Sequence, residues 1–151
     1  MKQIILTLFL FFSSILSAQW SYQTVTDGFE DSYRICYTNN SSSPFLKLEN
    51  VKGKVSFYIS GDYFCDDEVT YDFVFMNGTE NFKVSGVGSK SSVNDDVLFF
   101  TFDLLDEEQN IIYWFKKSSK LKIRVNESYC DTKYYEFNMG KSSAALEFIS
   151  K

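Results

Sequence analysis

Histidine is missing from all 151 residues, and that absence excludes more chemistry than any motif in the chain supplies. Without imidazole there is no Ser-His-Asp or Cys-His nucleophile system, and most catalytic zinc sites lose their usual ligand. Arginine is nearly as scarce, with Arg34 and Arg124 alone, and the formal charge is −5. So acidic and arginine-poor a chain suits neither a phosphate backbone nor an anionic lipid surface, which disfavours nucleic acid and membrane as partners. No apolar run reaches the roughly 20 residues that a spanning helix needs. The three cysteines contain no Cys-x-x-Cys pair, so a redox motif of that kind is excluded.

The residues present at the start, MKQIILTLFLFFSSILSAQW, read as a secretory leader. Lys2 is the positive n-region, Ile4 to Phe12 the apolar core, and Ser17-Ala18 the small residues before a cut. Residues 1–18 are expected to leave, without a lipid-bearing cysteine at the cut, and 20–151 to form one soluble domain. Removing Lys2 takes the charge from −5 to −6. A chain of this length buries about two-thirds of its unfolded surface, so a disulfide helps without being obligatory. The expected location is secreted or periplasmic.

Alternation of apolar and polar residues recurs, the mark of half-buried strands. WSYQTVT (20–26) aligns Trp20 with Tyr22, Thr24 and Thr26, and SYRICYT aligns Tyr33, Ile35 and Tyr37. NNSSSP (39–44), closed by the single proline, reads as a loop; FLKLENV and KGKVSFYIS follow as strands. VTYDFVFM (69–76) is the clearest strand and stops at Asn77-Gly78, a dipeptide suited to a type I′ hairpin turn. TENFKVSG returns, GVGSKSSVNDD reads as flexible, and VLFFTFDLL resumes strand character.

Two segments leave the two-residue period. In DEEQNIIYWFKKSS, Asp106 can cap, Glu107 and Glu108 suit the positive end of a helix, and Lys116 and Lys117 its negative end. Ile111, Ile112 and Phe115 would face inward there. KLKIRV and KYYEFNM alternate again, and KSSAALEFIS predicts a C-terminal helix capped by Ser142 or Ser143. The fold class is mostly β: an antiparallel β-sandwich or small barrel with two short helices, one before the strand at 120–126 and one C-terminal.

YFCDDEVTYDF (63–73) has an echo in YCDTKYYEF (129–137): aromatic, Cys, Asp, polar residues, then Tyr, an acid and Phe. Three single bridges are open to Cys36, Cys65 and Cys130 in an oxidising compartment. The echo favours Cys65–Cys130, with both cysteines just ahead of strands that could be neighbours; Cys36–Cys65 is the rival. A 65-residue loop closed in this way is worth about 4 kcal/mol in the chain-entropy model. Cys36 would then be buried and inert, or would pair between chains. Asp62, Asp66, Asp67 and Glu68 could offer oxygens to calcium, but EF-hand spacing is missing. A solvated acidic loop open to partner contact is the preferred reading.

Other motifs weaken on inspection. SGVGSKSS (85–92) puts Ser89 and Val84 where a phosphate-binding loop requires glycines. Ser119 and Lys122 fit Ser-x-x-Lys but enter a strand rather than a helix. Asp72, Asp103 and Glu136 could serve glycoside hydrolysis, yet they sit within strands. Trp20, Tyr22, Tyr33, Tyr37 and Tyr58 could form a sugar-binding platform, though so aromatic a domain must bury most of its rings. Asn39, Asn40, Asn77 and Asn126 head glycosylation sequons. No catalytic residue, metal or cofactor is implied.

Phe82-Lys83-Val84-Ser85, the apolar IIYWF entering KLKIRV, and YEFNMGKSSAALEFI at the end together carry a family likeness. Over residues 46–149 the chain resembles small exported proteins of the type VI secretion-associated VasI and invasion-associated locus B group. Phe82 stands where that group usually has tryptophan. The resemblance implies a β-sandwich exported to the cell envelope, without an established catalytic set. The expected function is a non-enzymatic binding or accessory domain acting through loops 39–44, 61–68 and 86–96 on a protein or a glycan. The alternatives are an inhibitor of a lysozyme-like hydrolase, whose basic charge would suit an acidic partner, and a small carbohydrate-binding module.

Overall fold

The computed structural model describes residues 20–26, 32–38, 44–51, 54–100 and 105–151. The expected leader, residues 39–43 of the expected loop, Asn39, Asn40 and Asp103 lie outside that set, as do the side chains of Asp106, Glu107 and Glu108. Nine strands and two helices follow in the order β1 (Trp20–Thr26), β2 (Ser32–Thr38), β3 (Phe45–Val51), β4 (Lys54–Ser60), β5 (Glu68–Asn77), β6 (Glu80–Lys90), β7 (Val97–Phe100), α1 (Leu105–Lys117), β8 (Lys120–Asn126), β9 (Lys133–Asn138) and α2 (Ser142–Ile149). The strands form a single antiparallel sheet in the order β1-β2-β3-β4-β7-β6-β5-β8-β9. The mostly β, antiparallel fold with two short helices is therefore as the alternation indicates. Among the described residues no helix is long and apolar enough to cross a membrane.

Alternation sets which face is inside. In β5, Val69, Tyr71, Phe73 and Phe75 are buried; in β8, Leu121, Ile123 and Val125; in β9, Tyr135 and Phe137. Each fully buried Phe or Leu contributes about 1.5–3 kcal/mol by leaving water. The helices cover this inner face. Phe115 of α1 is buried between Trp20 of β1 and Phe57 of β4, with ring centroids 5.7 and 5.4 Å away. Helix α2 lies against β1, β2 and β3 and against α1. Trp20 Nε1 donates to Gly140 O at 3.0 Å, joining the first strand of the sheet to the link after its last one. The layers thus come from one sheet and two helices packed on its inner face.

In β2, Cys36 is buried as expected, together with Thr38, while Tyr33, Ile35 and Tyr37 are half-buried, because α2 takes Arg34 and Cys36 as its partners. Arg34 Nη1 donates to Phe148 O at 3.1 Å, and the Cys36 thiol lies 3.7 Å from Ala145 O. Neither Ser142 nor Ser143 caps α2. Lys141 holds the cap position at φ 65° with no side-chain bond. The serine hydroxyls instead donate to Phe115 O (2.6 Å) and Lys116 O (3.1 Å), two of the carbonyls that the end of α1 leaves unpaired.

The segment GVGSKSSVNDD is not a free loop. Strand β6 runs through Lys90, and a side chain on Gly86 would strike Tyr71 at 2.6 Å, one on Gly88 the carbonyl of Phe99 at 2.9 Å. Those glycines make room for neighbours across the sheet. A hairpin forms as expected, but its two-residue loop is Gly78-Thr79 and not Asn77-Gly78. Asn77 pairs with Glu80 as the last residue of β5, and Gly78 takes the left-handed position at φ 60°, where a residue without Cβ carries no steric cost. Finally, β5 and β9 are not adjacent, since β8 pairs with both.

Candidate functional site

Cys65 and Cys130 lie side by side with Cα atoms 6.2 Å apart, joined as a disulfide. They reach each other across the end of β8, from the loop before β5 and the loop before β9. Of the four acids expected to meet a partner, Asp62 and Asp66 are engaged within the domain. Asp66 is buried and accepts from the Ser128 amide. Asp62 accepts from the Tyr63 amide at 2.9 Å and the Tyr135 hydroxyl at 2.7 Å, and lies 3.6 Å from Lys133 Nζ. Burial and the Asp62 carboxylate together push the Tyr135 hydroxyl pKa upward. Asp67 and Glu68 are exposed, Asp67 pairing with Lys90 at 3.3 Å.

One participant escaped the sequence reading. Glu127, whose side chain has no exposed surface, accepts from the Cys65 amide at 2.8 Å and lies 3.5 Å from Lys133 Nζ. Nothing in its sequence surroundings, Asn126-Glu127-Ser128, marks it; only the loop-to-loop approach does. Lys133 also donates to Tyr63 O and sits 4.8 Å above the Phe64 ring. Loops 61–68 and 91–96 are further tied by Phe64 N–H to Asp95 O at 2.9 Å and Gly61 N–H to Asp96 O at 2.9 Å.

A second assembly occupies the outer face of β6, β5, β8 and β9. Antiparallel register puts Asp72 opposite Ser85 on one side and Arg124 on the other, and Lys122 opposite Glu136. The echo seen in the sequence is therefore a shared phase: Tyr71, Phe73, Tyr135 and Phe137 point in, while Asp72 and Glu136 line one shallow groove of about 460 Å³. Val74 and the exposed Tyr134 add apolar surface to it.

Asp72 is the hub of this face. It accepts from Ser85 Oγ and from Arg124 Nε at 2.8 Å, with Lys83 Nζ 3.1 Å away. The Ser85 bond, then those from Lys83 and Arg124, pull its carboxyl down to about 2 against the opposing effect of burial. Glu136 is lowered as well, first by its hydrogen bond from Lys120 at 2.6 Å. Both acids stay ionised across the ordinary pH range. Lys83, Lys120, Lys122 and Arg124 face two carboxylates, Asp72 and Glu136. With Glu68, farther along the same face of β5, the face carries four cations against three carboxylates, an excess of one positive charge in a chain of net −5.

The remaining expected sites are dispersed. Cys36 is fully buried, and burial pushes its thiol up to about 12. Of the proposed aromatic platform, Trp20 and Tyr58 are buried, Tyr33 and Tyr37 half-buried, and the more exposed Tyr22 packs edge-on against Phe148 at 5.1 Å. Trp114 lies flat on Phe82 with centroids 5.5 Å apart, and Lys117 Nζ sits 5.0 Å from its ring. Ser119 donates to Met76 O at 3.3 Å and so serves the junction with β5 rather than Lys122. No family model, curated protein or solved structure matches this chain.

Proposed function

We propose that this chain is an exported, non-enzymatic binding domain that engages an acidic protein surface through the outer face of β6, β5, β8 and β9. The observation that carries the reading is the cluster of four cations, Lys83, Lys120, Lys122 and Arg124, around the two carboxylates Asp72 and Glu136, in a chain whose net charge is −5. The cations are held at fixed spacing by cross-strand pairing with Asp72 and Glu136, so little ordering is left for a partner to impose. Complementary charge of this kind steers encounter and sets orientation more than it adds raw affinity. The Cys65–Cys130 pair suits an oxidising compartment, and the leader and the likeness to VasI-type envelope proteins belong to the same proposal.

Chemistry at the groove supports binding over hydrolysis. A glycosidase needs one carboxylic acid kept protonated near neutral pH, whereas both acids here are lowered by their cationic neighbours. A glycan platform is weakened by the burial of Trp20 and the stacking of Trp114 on Phe82. The inhibitor reading rests on loop 61–68, whose Asp62 and Asp66 are engaged within the domain.

Crosslinking of the processed protein in its native envelope tests the proposal, with Lys83→Gln/Lys122→Glu alongside. The parent chain is expected to capture an acidic protein with a yield that falls as salt rises, and the variant to lose most of it. An undiminished yield in the variant, or a basic partner, would overturn the reading. Near-stoichiometric inhibition of lysozyme would transfer it to the loops.

A further inference from the structure

The disulfide has a third neighbour of interest. Cys65 Sγ, Cys130 Sγ and a carboxylate oxygen of Glu127 all lie within 4.8 Å of one another. Tetrahedral zinc, with Zn–S near 2.3 Å and Zn–O near 2.0 Å, holds its ligands about 3.5–4 Å apart. We propose that, once the bridge is reduced, Cys65, Cys130 and Glu127 bind a divalent transition metal of the zinc class, so that this corner of the fold is a thiol-gated metal site.

Two observations beyond proximity point to a cation. The Glu127 side chain is fully buried and fixed through Oε2 by the Cys65 amide, yet Oε1 has no hydrogen-bond donor among the described residues. Lys133 Nζ at 3.5 Å is its nearest recorded charge partner. Beside it, Asp66 is also buried and its Oδ1 likewise has no donor. A buried carboxylate that lacks a donor is costly, and a metal ion relieves that cost through the free oxygen.

Charge favours a cation as well. Two thiolates, one carboxylate and a divalent cation sum to −1, beside a Lys133 ammonium that Glu127 shares with Asp62. Both cysteines stand on loops, 61–67 and 127–132, so the sulfurs can part without displacing a strand. A low-molecular-weight thiol or dithiol reductant supplies two electrons: the Cys65–Cys130 bond breaks, the reductant becomes its own disulfide, and two protein thiols form. Metal binding then releases one proton from each thiol, leaving a fourth position to water. While the bridge is intact its sulfurs are bonded to each other and are not thiolate ligands.

Cobalt(II) is the probe, titrated anaerobically into the processed chain before and after reduction by a phosphine, with far-ultraviolet circular dichroism as a check on folding. The reduced protein is expected to bind one equivalent with a thiolate-to-cobalt charge-transfer band, which zinc abolishes; the oxidised protein gives no band. Cys130→Ser is expected to remove the band, Cys36→Ala to leave it unchanged, and Glu127→Gln to keep it but weaken affinity at least about tenfold. The proposal fails if reduced, folded protein gives no band, or if Glu127→Gln binds as tightly as the parent. It fails equally if Cys36→Ala loses the band, or if reduction destroys the strand spectrum and cobalt does not restore it.

Discussion

Gly86 shows how a single residue can be misread until its neighbour across the sheet is known. It stands opposite Tyr71 in the β5–β6 register, and a Cβ placed on it would meet the Tyr71 hydroxyl at 2.6 Å and Cζ at 2.8 Å. Tyr71 is 2 % exposed and packs against Phe73 and Phe100 at 4.9 Å, so the ring has nowhere to retreat. Gly86→Ala is therefore expected to cost about 1–3 kcal/mol by overpacking, read as a lower urea midpoint at unchanged slope. A flexible-loop role predicts no such loss. The same hidden dependence governs Glu127 and Asp72. Their partners Cys65, Ser85 and Arg124 lie 62, 13 and 52 positions away, and composition supplies no register.

At the level of elements, α2 is attached less by its start than by the end of another helix. Ser142, 1 % exposed, donates to Phe115 O at 2.6 Å, whereas half-buried Ser143 donates to Lys116 O at 3.1 Å in a bond open to water. Removing the buried hydroxyl strands a carbonyl away from water, so Ser142→Ala is expected to lower stability by about 1–2 kcal/mol. Ser143→Ala should cost only a few tenths, and thermal unfolding of the two variants separates them. Strands that alternate cleanly, such as β5 and β8, were legible because one face meets the core and the other water. The hairpin was legible because Gly78 suits the left-handed position it takes, although the turn starts one residue later than Asn-Gly suggests. Strand β2 was legible as SYRICYT, with Cys36 buried, but its contact with α2 was not: Arg34 and Cys36 reach the helix, while Tyr33 and Ile35 stay half-buried. The end of β6 was missed for a similar reason: Ser and Gly residues there pair with β7 despite weak strand preference. The outer-face groove needs the registers of three adjacent strand pairs, which no local pattern carries.

Across the whole molecule, the Cys65–Cys130 bridge encloses β5 to β8 and α1, a separation of 65 residues. Restricting so long a loop in the unfolded chain is worth about 4 kcal/mol in the chain-entropy account. Cys65→Ala/Cys130→Ala is accordingly expected to lower the unfolding free energy by that amount, seen as a lower guanidinium midpoint, and to raise the slope, because the unfolded chain is freer to expand. An unchanged midpoint would show that the native contacts alone hold this end of the sheet. The thiol of Cys36 lies at the opposite end, beneath α2, and is expected to resist alkylation until the chain unfolds, its proton held by burial.

The bond from Trp20 to Gly140, together with those from Arg34 and Asn50 to the last carbonyls of α2, has a consequence for the order of assembly. As the polypeptide emerges from the ribosome, strands β1 to β3 wait for a cover that lies about a hundred positions further along the chain. Contacts of that span form slowly, so these strands remain open to capture by a holding chaperone or by a translocation channel until α2 has emerged and docked.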